Sequence, residues 1–278
     1  MGNKKALTPG KIIFYFILSV AGILVLYPLI FMLLTSLKPN NEVLRNPFGI
    51  SKPYFTNYAD AWRIGRIGRY FFNSVKVTLI TLGLQIVIIS LASYAIGKLQ
   101  PWGYRIIFSV IIMMMFVTTE MVTVPNYATI RSLGILGTHA GLIVWYTASG
   151  LVMGTYILTN FIRSLPKELD EAALIDGAGI FQIMLRIDLP LVTPAMATLV
   201  IFNFNGVWSE FFWALITINR YDALKTLPLG LINFQSQFTS NYGVLTAGLC
   251  ILTIPVVIVY LFFSKYFIAN ITAGAVKG

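Results

Sequence analysis

Acidic residues are the scarcest charged groups in this 278-residue chain, and half of the ten lie in one short segment. These five residues fall between two long apolar runs: Glu168, Asp170, Glu171, Asp176 and Asp188. Small residues among them, such as Ala172 and Ala173, would let a partner's backbone approach closely while the carboxylates pair with its cations. The segment is therefore the first candidate for a binding surface.

Other patterns that carry chemistry are missing from the sequence. With one histidine, His139, and one cysteine, Cys250, the common metal-binding motifs cannot be built and no intrachain disulfide can form. No G-x-x-x-x-G-K-[ST] motif occurs, so the chain lacks a P-loop, and a nucleotide bound through such a loop would have to bind a different chain. We therefore expect a non-catalytic protein with no cofactor of its own, and not an intramembrane enzyme.

Composition places the chain in a membrane. Hydrophobic residues make up 57% of the sequence and charged residues 11%, with a mean hydropathy of +0.80. Soluble proteins have roughly 45–50% apolar and about 25% charged residues, which excludes a soluble enzyme, a disordered tail and a disulfide-rich scaffold. The net charge of +10 would suggest nucleic acid in a soluble protein. Beside membrane spans, basic residues set orientation and contact anionic lipid, so we expect no nucleic-acid partner.

Six apolar runs are long enough for a membrane-crossing helix, which needs about 20 residues. They are residues 12–37, 77–97, 106–130, 139–162, 191–219 and 244–264, and only Glu120 and Glu210 place an Asp, Glu, Lys or Arg inside them. The sequence thus predicts an all-α membrane protein with six transmembrane helices. Both termini then lie on one side, and Lys4, Lys5 and Lys11 favour the cytoplasm.

Two short motifs concern packing and surface. Gly150 and Gly154 form a GxxxG pattern in the fourth run, which permits close contact between helices. Arg63, Arg66 and Arg69 recur every three positions after the first run. Two interpretations of the arginine segment remain open, an amphipathic helix on the lipid headgroups and a solvated basic loop.

The acidic segment carries the signals of a short helix. Pro166 suits a first helical turn, the acids that follow lie at the positive end of the helix dipole, and Gly177 and Gly179 offer a left-handed stop. We predict a helix of about ten residues outside the membrane, marginally stable alone. One face would combine Leu169, Ala172, Ala173 and Asp176. The helix would dock either on its own bundle or on another protein.

These residues carry a resemblance to a known family. Seven residues occur at a spacing that resembles that of the cytoplasmic EAA loop in permease subunits of bacterial ABC importers: Glu171, Ala172, Ala173, Gly177, Ile187, Leu189 and Pro190. Four more positions match the fuller form in sugar-uptake permeases: Asp176, Ala178, Gln182 and Pro194. The run 208–215 resembles the family's fifth span, although Ser209 stands where asparagine is common. The chain looks most like the second permease of maltose or multiple-sugar importers.

The resemblance implies a type I ABC importer permease fold, in which the predicted helix is a coupling helix in a cleft of an ATPase. It assigns ATPase coupling to six residues: Glu168, Glu171, Ala172, Ala173, Asp176 and Gly177. The implied function is import of an oligosaccharide. The implied partners are a homologous second permease, two ATPase subunits that bind ATP and magnesium, an extracytoplasmic sugar-binding protein and membrane lipid.

The resemblance also suggests a domain organisation. Residues 1–71 would form the first transmembrane helix and an extracytoplasmic segment. Residues 72–268 would form a five-helix permease core with the EAA loop at 163–190, and residues 269–278 a cytoplasmic tail. We expect a multi-pass protein of the bacterial cell membrane with both termini in the cytoplasm.

Glu210 interrupts the fifth run, where a carboxylate is costly unless it faces protein or a wet cavity. Asn203 would share its helical face, and Asn205 lies nearby. We interpret these three residues either as a polar wall of the sugar pathway or as a hydrogen-bonded contact to the partner permease.

The run 233–241 is polar and aromatic without charge and contains Asn233, Gln235 and Gln237. The resemblance implies a loop that reaches into the binding protein, and a solvated connection is the alternative. For the whole chain, the alternative function is an ion-coupled secondary transporter or a channel. Such proteins often have paired intramembrane charges, whereas only Glu120 and Glu210 interrupt the runs.

Overall fold

The computed structural model describes residues 9–237 and 241–275, and the regular elements in those ranges are all helices. Four are long and apolar enough to cross a membrane: Ile13–Ser36, Ile67–Leu99, His139–Arg163 and Tyr242–Lys265. Two bent pairs reach that length together: Tyr104–Met114 with Thr119–Ser132, and Ile180–Leu191 with Thr193–Trp208. If each bent pair is one span, the count is the predicted six. The last helix continues to Ala275, into the segment predicted as a tail, and residues 276–278 lie outside the description.

The third predicted run, 106–130, is two helices and not one. The first ends at Met114, and Thr118 has an extended backbone, with φ −78° and ψ 154°, before the second begins. The direction of the chain changes by 108° from the first helix to the second. A few residues outside the helical region suffice for such a turn, and they leave the mean hydropathy of the run unchanged.

The fifth predicted run, 191–219, is also interrupted. The helix Thr193–Trp208 follows a 75° bend, where Pro190 and Pro194 lack the N–H groups that a continuous helix needs. At the other end, Phe211 leaves the helical region, with φ −125° and ψ −44°, before the helix Phe212–Ile218. Glu210 therefore lies in a break, and its predicted place on one helical face with Asn203 was wrong.

Contacts divide the chain into two compact units, Met1–Gly68 with Leu231–Thr253 and Arg69–Gly230 with Ile254–Gly278. In the first unit, the buried Lys38 ammonium donates to the carbonyl groups of Asn46 and Pro47, at 2.8 and 2.7 Å. The Asn57 amide donates to the carbonyl groups of Ser36 and Lys38. These bonds fix the segment that follows the first helix.

The arginine-rich segment is not a single amphipathic helix. The helix Thr56–Arg63 ends before Arg66, whose φ of +54° is left-handed, and the next helix begins at Ile67. A left-handed residue breaks the helical repeat, so Arg63, Arg66 and Arg69 do not share one helical face. The amphipathic-helix interpretation of the three arginines was wrong.

The second unit contains the predicted close helix contact. Gly150 of the fourth span faces Gln85 of the second, and Gly154 faces Ile89. A Cβ atom at either glycine would overlap the opposing side chain. The Gln85 amide donates to the Tyr146 carbonyl group at 2.7 Å, across the same contact. The packing predicted for Gly150 and Gly154 is confirmed.

Candidate functional sites

The acidic loop forms the predicted short helix, from Lys167 to Ile175, immediately after Pro166. We call it the loop helix. Gly177 follows it in the left-handed region at φ +82°, as predicted. Gly179 has φ −75° and starts the next helix, where its N–H donates to Gln182 Oε1 at 3.0 Å. The expected left-handed stop at Gly179 was therefore wrong.

One side of the loop helix packs on the protein itself. Ala173 is buried, and the Asp170 carboxylate lies 2.6 Å from the Lys98 ammonium at the end of the second span. Lys98 also lies 3.5 Å from the carboxylate of the fully buried Asp188. The predicted face is divided by this packing, because Ala173 is buried while three members are exposed: Leu169, Ala172 and Asp176.

The other side of the loop helix is exposed and combines acids with apolar side chains. Glu168, Glu171 and Asp176 are exposed there. Large apolar side chains in and after the helix are exposed as well: Leu174, Ile175, Ile180 and Phe181. Ile175 alone retains 87% of its accessible surface. An apolar patch rimmed by polar residues is typical of a protein docking surface.

Glu210 lies in the break after the fifth span, where its carboxylate has three donors. Its Oε1 accepts from the Trp213 N–H at 2.6 Å, and its Oε2 accepts from the Ala214 N–H at 3.2 Å and from the Tyr146 hydroxyl. Both N–H groups belong to the first turn of the helix Phe212–Ile218, where amides lack intrahelical acceptors. Glu210 thus caps this helix and ties it to the fourth span.

Glu210 also lines a cavity of about 270 Å³. Asn203 lines it too, whereas Asn205 is not among the lining residues and is exposed. The Asn205 side-chain oxygen accepts from the Ser209 hydroxyl at 3.4 Å. Four polar lining residues were not predicted from the sequence: Gln85, Thr119, Tyr146 and Ser149. Each is an uncharged polar residue inside an apolar run, and that signal would have pointed to them.

A second cavity, of about 430 Å³, adjoins the first and shares Thr119, Trp145 and Ser149 with it. Its lining is mainly apolar and includes two methionines at the bend of the third span. The Trp145 ring stacks on Trp213, with centroids 4.5 Å apart. Apolar and aromatic walls with a few convergent polar groups are typical of small-molecule binding sites.

The predicted binding-protein loop is described only in part. Asn233, Gln235 and Gln237 belong to the helix Leu227–Gln237, but their side chains and residues 238–240 lie outside the described part of the chain. Asn241, at the end of the run, accepts the Val244 N–H at 3.2 Å and so begins the last helix.

Similar proteins match the chain over nearly its full length. It is 32% identical over 259 residues to the diacetylchitobiose uptake system permease protein of Streptomyces coelicolor, with 92% of this chain and 85% of that protein covered. It is 32% identical over 271 residues to the arabinooligosaccharides transport system permease protein of Bacillus subtilis, with 96% and 94% covered. A chain in the crystal structure of a bacterial ABC transporter that imports the acidic polysaccharide alginate has the same fold. Its TM-score is 0.81 at 23% identity, with 96% of this chain and 99% of that chain covered.

The family match spans both compact units and the loop helix. Residues 10–272 match the family described as the inner membrane component of binding-protein-dependent transport systems. The match confirms the resemblance that the EAA spacing indicated, and with the apolar helices it makes the protein a multi-pass membrane protein. The chain therefore belongs to the family of inner membrane components of binding-protein-dependent transport systems.

Proposed function

We propose that this chain is the permease subunit of an ATP-driven importer that moves an oligosaccharide from an extracytoplasmic binding protein into the cytoplasm. The observation that carries the proposal is the two-sided loop helix, held by Asp170 and Ala173 and exposing Glu168 and Glu171. Family membership favours a binding-protein-dependent importer over an ion-coupled secondary transporter or a channel. The sugar class follows the relatives, which are named for diacetylchitobiose and arabinooligosaccharides.

In this proposal the chain performs no chemistry and depends on partners. A homologous second permease completes the pathway, and two ATPase subunits bind ATP and magnesium. The loop helix is the coupling helix, and Glu171 pairs with a basic group on the ATPase. Ala172 has a small side chain and Gly177 has none, so the ATPase can approach the backbone of this segment closely. The EAA loop at 163–190 and both termini lie in the cytoplasm.

The cavity beside Glu210 supplies this chain's part of the sugar pathway. Because Glu210 already accepts three hydrogen bonds within the protein, we assign it a structural role and assign sugar contact to Asn203. Asn205 is exposed and suits a contact to the second permease. On the outer side, the segment with Asn233, Gln235 and Gln237 contacts the binding protein.

The coupling proposal is tested in proteoliposomes that contain the complete importer. We expect Glu171→Lys to lower sugar uptake and sugar-stimulated ATP hydrolysis by about tenfold or more, because a like charge faces the basic group of the ATPase. Glu171→Gln should have a smaller effect in the same direction. Wild-type uptake and hydrolysis in the lysine variant would contradict the proposed role of Glu171.

A matched control is Glu120→Gln. Glu120 is also an exposed carboxylate in the first turn of a helix, but it lies in the bent third span, remote in sequence from the loop helix. Its neutralisation should leave the stimulation of ATP hydrolysis by sugar unchanged. An equal loss in Glu120→Gln and Glu171→Gln would indicate a general effect of lost charge.

A further inference from the structure

We propose that Lys98 is the positioning residue that transmits movement of the loop helix to the second and fifth spans. Its ammonium lies 2.6 Å from Asp170 Oδ2 on the loop helix and 3.5 Å from Asp188 Oδ1. Lys98 belongs to the π-helix Ala95–Leu99, which ends the second span. Asp188 ends the π-helix Met184–Asp188, which leads into the fifth span. One side chain thus joins three elements.

Burial makes this link strong and specific. The side chains of Lys98, Asp170 and Asp188 are 9%, 19% and 0% exposed, so solvent screens the charges weakly. Oδ1 of Asp170 and both carboxylate oxygens of Asp188 have no hydrogen-bond partner among the described residues. Lys98 is therefore the counter-charge for the buried Asp188 carboxylate and the partly buried Asp170 carboxylate. Its removal would leave both uncompensated, which is far more costly than loss of a surface ion pair.

Apart from the ion pair with Lys98, the loop helix makes few buried contacts with the transmembrane helices. Among its described residues, Ala173 is the only buried side chain, and a methyl group provides a small contact area. A small apolar contact resists sliding weakly, whereas an ion pair between fixed atoms resists displacement in any direction. The ion pairs of Lys98 are therefore suited to transmit a displacement of the loop helix to the second and fifth spans.

The two spans that Lys98 joins to the loop helix also form walls of the 270 Å³ cavity. Gln85 lies on the second span and Asn203 on the fifth, and both line that cavity. A displacement of the loop helix would move these walls through Lys98. This inference rests on the proposed function, because it takes the ATPase as the source of the movement.

The test measures the number of ATP molecules hydrolysed per sugar imported by the complete importer in proteoliposomes. We expect Lys98→Met to raise this ratio by about tenfold, within the usual range of coupling between sites, while ATP hydrolysis continues. Lys98→Arg, which keeps the charge, should stay near the wild-type ratio. The exchange Lys98→Asp with Asp170→Lys should recover part of the coupling. A wild-type ratio in Lys98→Met would overturn the inference.

Two further arms separate this inference from a folding defect and from the proposed function. If Lys98→Met fails to assemble, Asp170→Ala removes the acceptor of the Lys98 ammonium on the loop helix and leaves Lys98 paired with Asp188, and it must raise the same ratio. Lys225→Met is the matched control and should leave the ratio of ATP hydrolysed to sugar imported unchanged. The Lys225 side chain is as buried as that of Lys98, but it pairs with Asp222 at 3.5 Å and not with the loop helix. Normal coupling in Lys98→Met together with loss in Glu171→Lys would overturn only the Lys98 link. Normal coupling in both would also contradict the proposed coupling role of Glu171.

Discussion

Glu210 shows how a carboxylate persists in an apolar run. As an isolated intramembrane charge it would be costly, but it accepts two backbone N–H groups and the Tyr146 hydroxyl. A negative group at a helix start also interacts favourably with the positive end of the helix dipole. Glu210 is therefore a helix cap that also lines a cavity, and the capping role explains its charge.

The capping role predicts graded effects of substitution at Glu210. Glu210→Ala removes the acceptor for the Trp213 and Ala214 amides and should destabilise the permease by about 1–2 kcal/mol. Glu210→Gln retains one side-chain carbonyl oxygen and should lose less. Thermal unfolding of the purified permease in detergent measures the difference. Equal melting temperatures for the alanine and glutamine variants would contradict the cap.

Asn203 and Asn205 provide a matched test of the sugar pathway. Asn203 lines the 270 Å³ cavity, whereas Asn205 is exposed and is not part of its lining. We expect Asn203→Ala to raise the KM for sugar import by about tenfold through loss of a hydrogen bond, and Asn205→Ala to leave it unchanged. Uptake kinetics at equal protein abundance measure both. The reverse order would contradict the assignment of the pathway to this cavity.

At the scale of elements, the loop helix has two different sides. The packing side is small and contains Ala173 and Asp170, while the exposed side contains Glu168, Glu171 and Ala172. A nine-residue helix is marginal in water, so its conformation depends on the packing side. The exposed side is then presented in a fixed orientation.

The two neighbouring alanines of this helix should respond differently to a larger side chain. Ala173→Leu must be accommodated against the bundle and should destabilise the isolated permease by about 1–3 kcal/mol. Ala172→Leu projects from the exposed side and should leave that stability unchanged but weaken assembly with the ATPase. Thermal unfolding and co-purification of the ATPase distinguish the two effects. Equal unfolding temperatures would show that Ala173 does not anchor the helix.

At the scale of the whole molecule, the orientation in the membrane is a prediction of the proposed function. In a Cys250→Ser background, Ile175→Cys places one thiol at a highly exposed position within the EAA loop. When the permease is expressed without the ATPase that would cover this surface, a membrane-impermeant maleimide should label the thiol in inside-out vesicles and not in intact cells. Labelling from the outside of intact cells would contradict a cytoplasmic loop at 163–190.

The number of spans could be predicted from the sequence, but the bends within two of them could not. Six spans were predicted from the apolar runs, and residues 9–237 and 241–275 form four long apolar helices and two bent pairs. Hydropathy sums over neighbouring residues, so it detects a run but not a change of direction within it. The extended Thr118 and the break at Glu210 depend on a few backbone angles and on contacts with other spans.

The sequence by itself determined the membrane class, the apolar runs, the EAA spacing and the left-handed stop at Gly177. These depend on composition or on residues close together in the chain, which local physical rules can read. Only the tertiary structure decided that Lys98 joins Asp170 and Asp188, and that Tyr146 donates to Glu210 across 64 residues. Such contacts depend on which spans become neighbours and how each bends, and neither is encoded in local sequence periodicity.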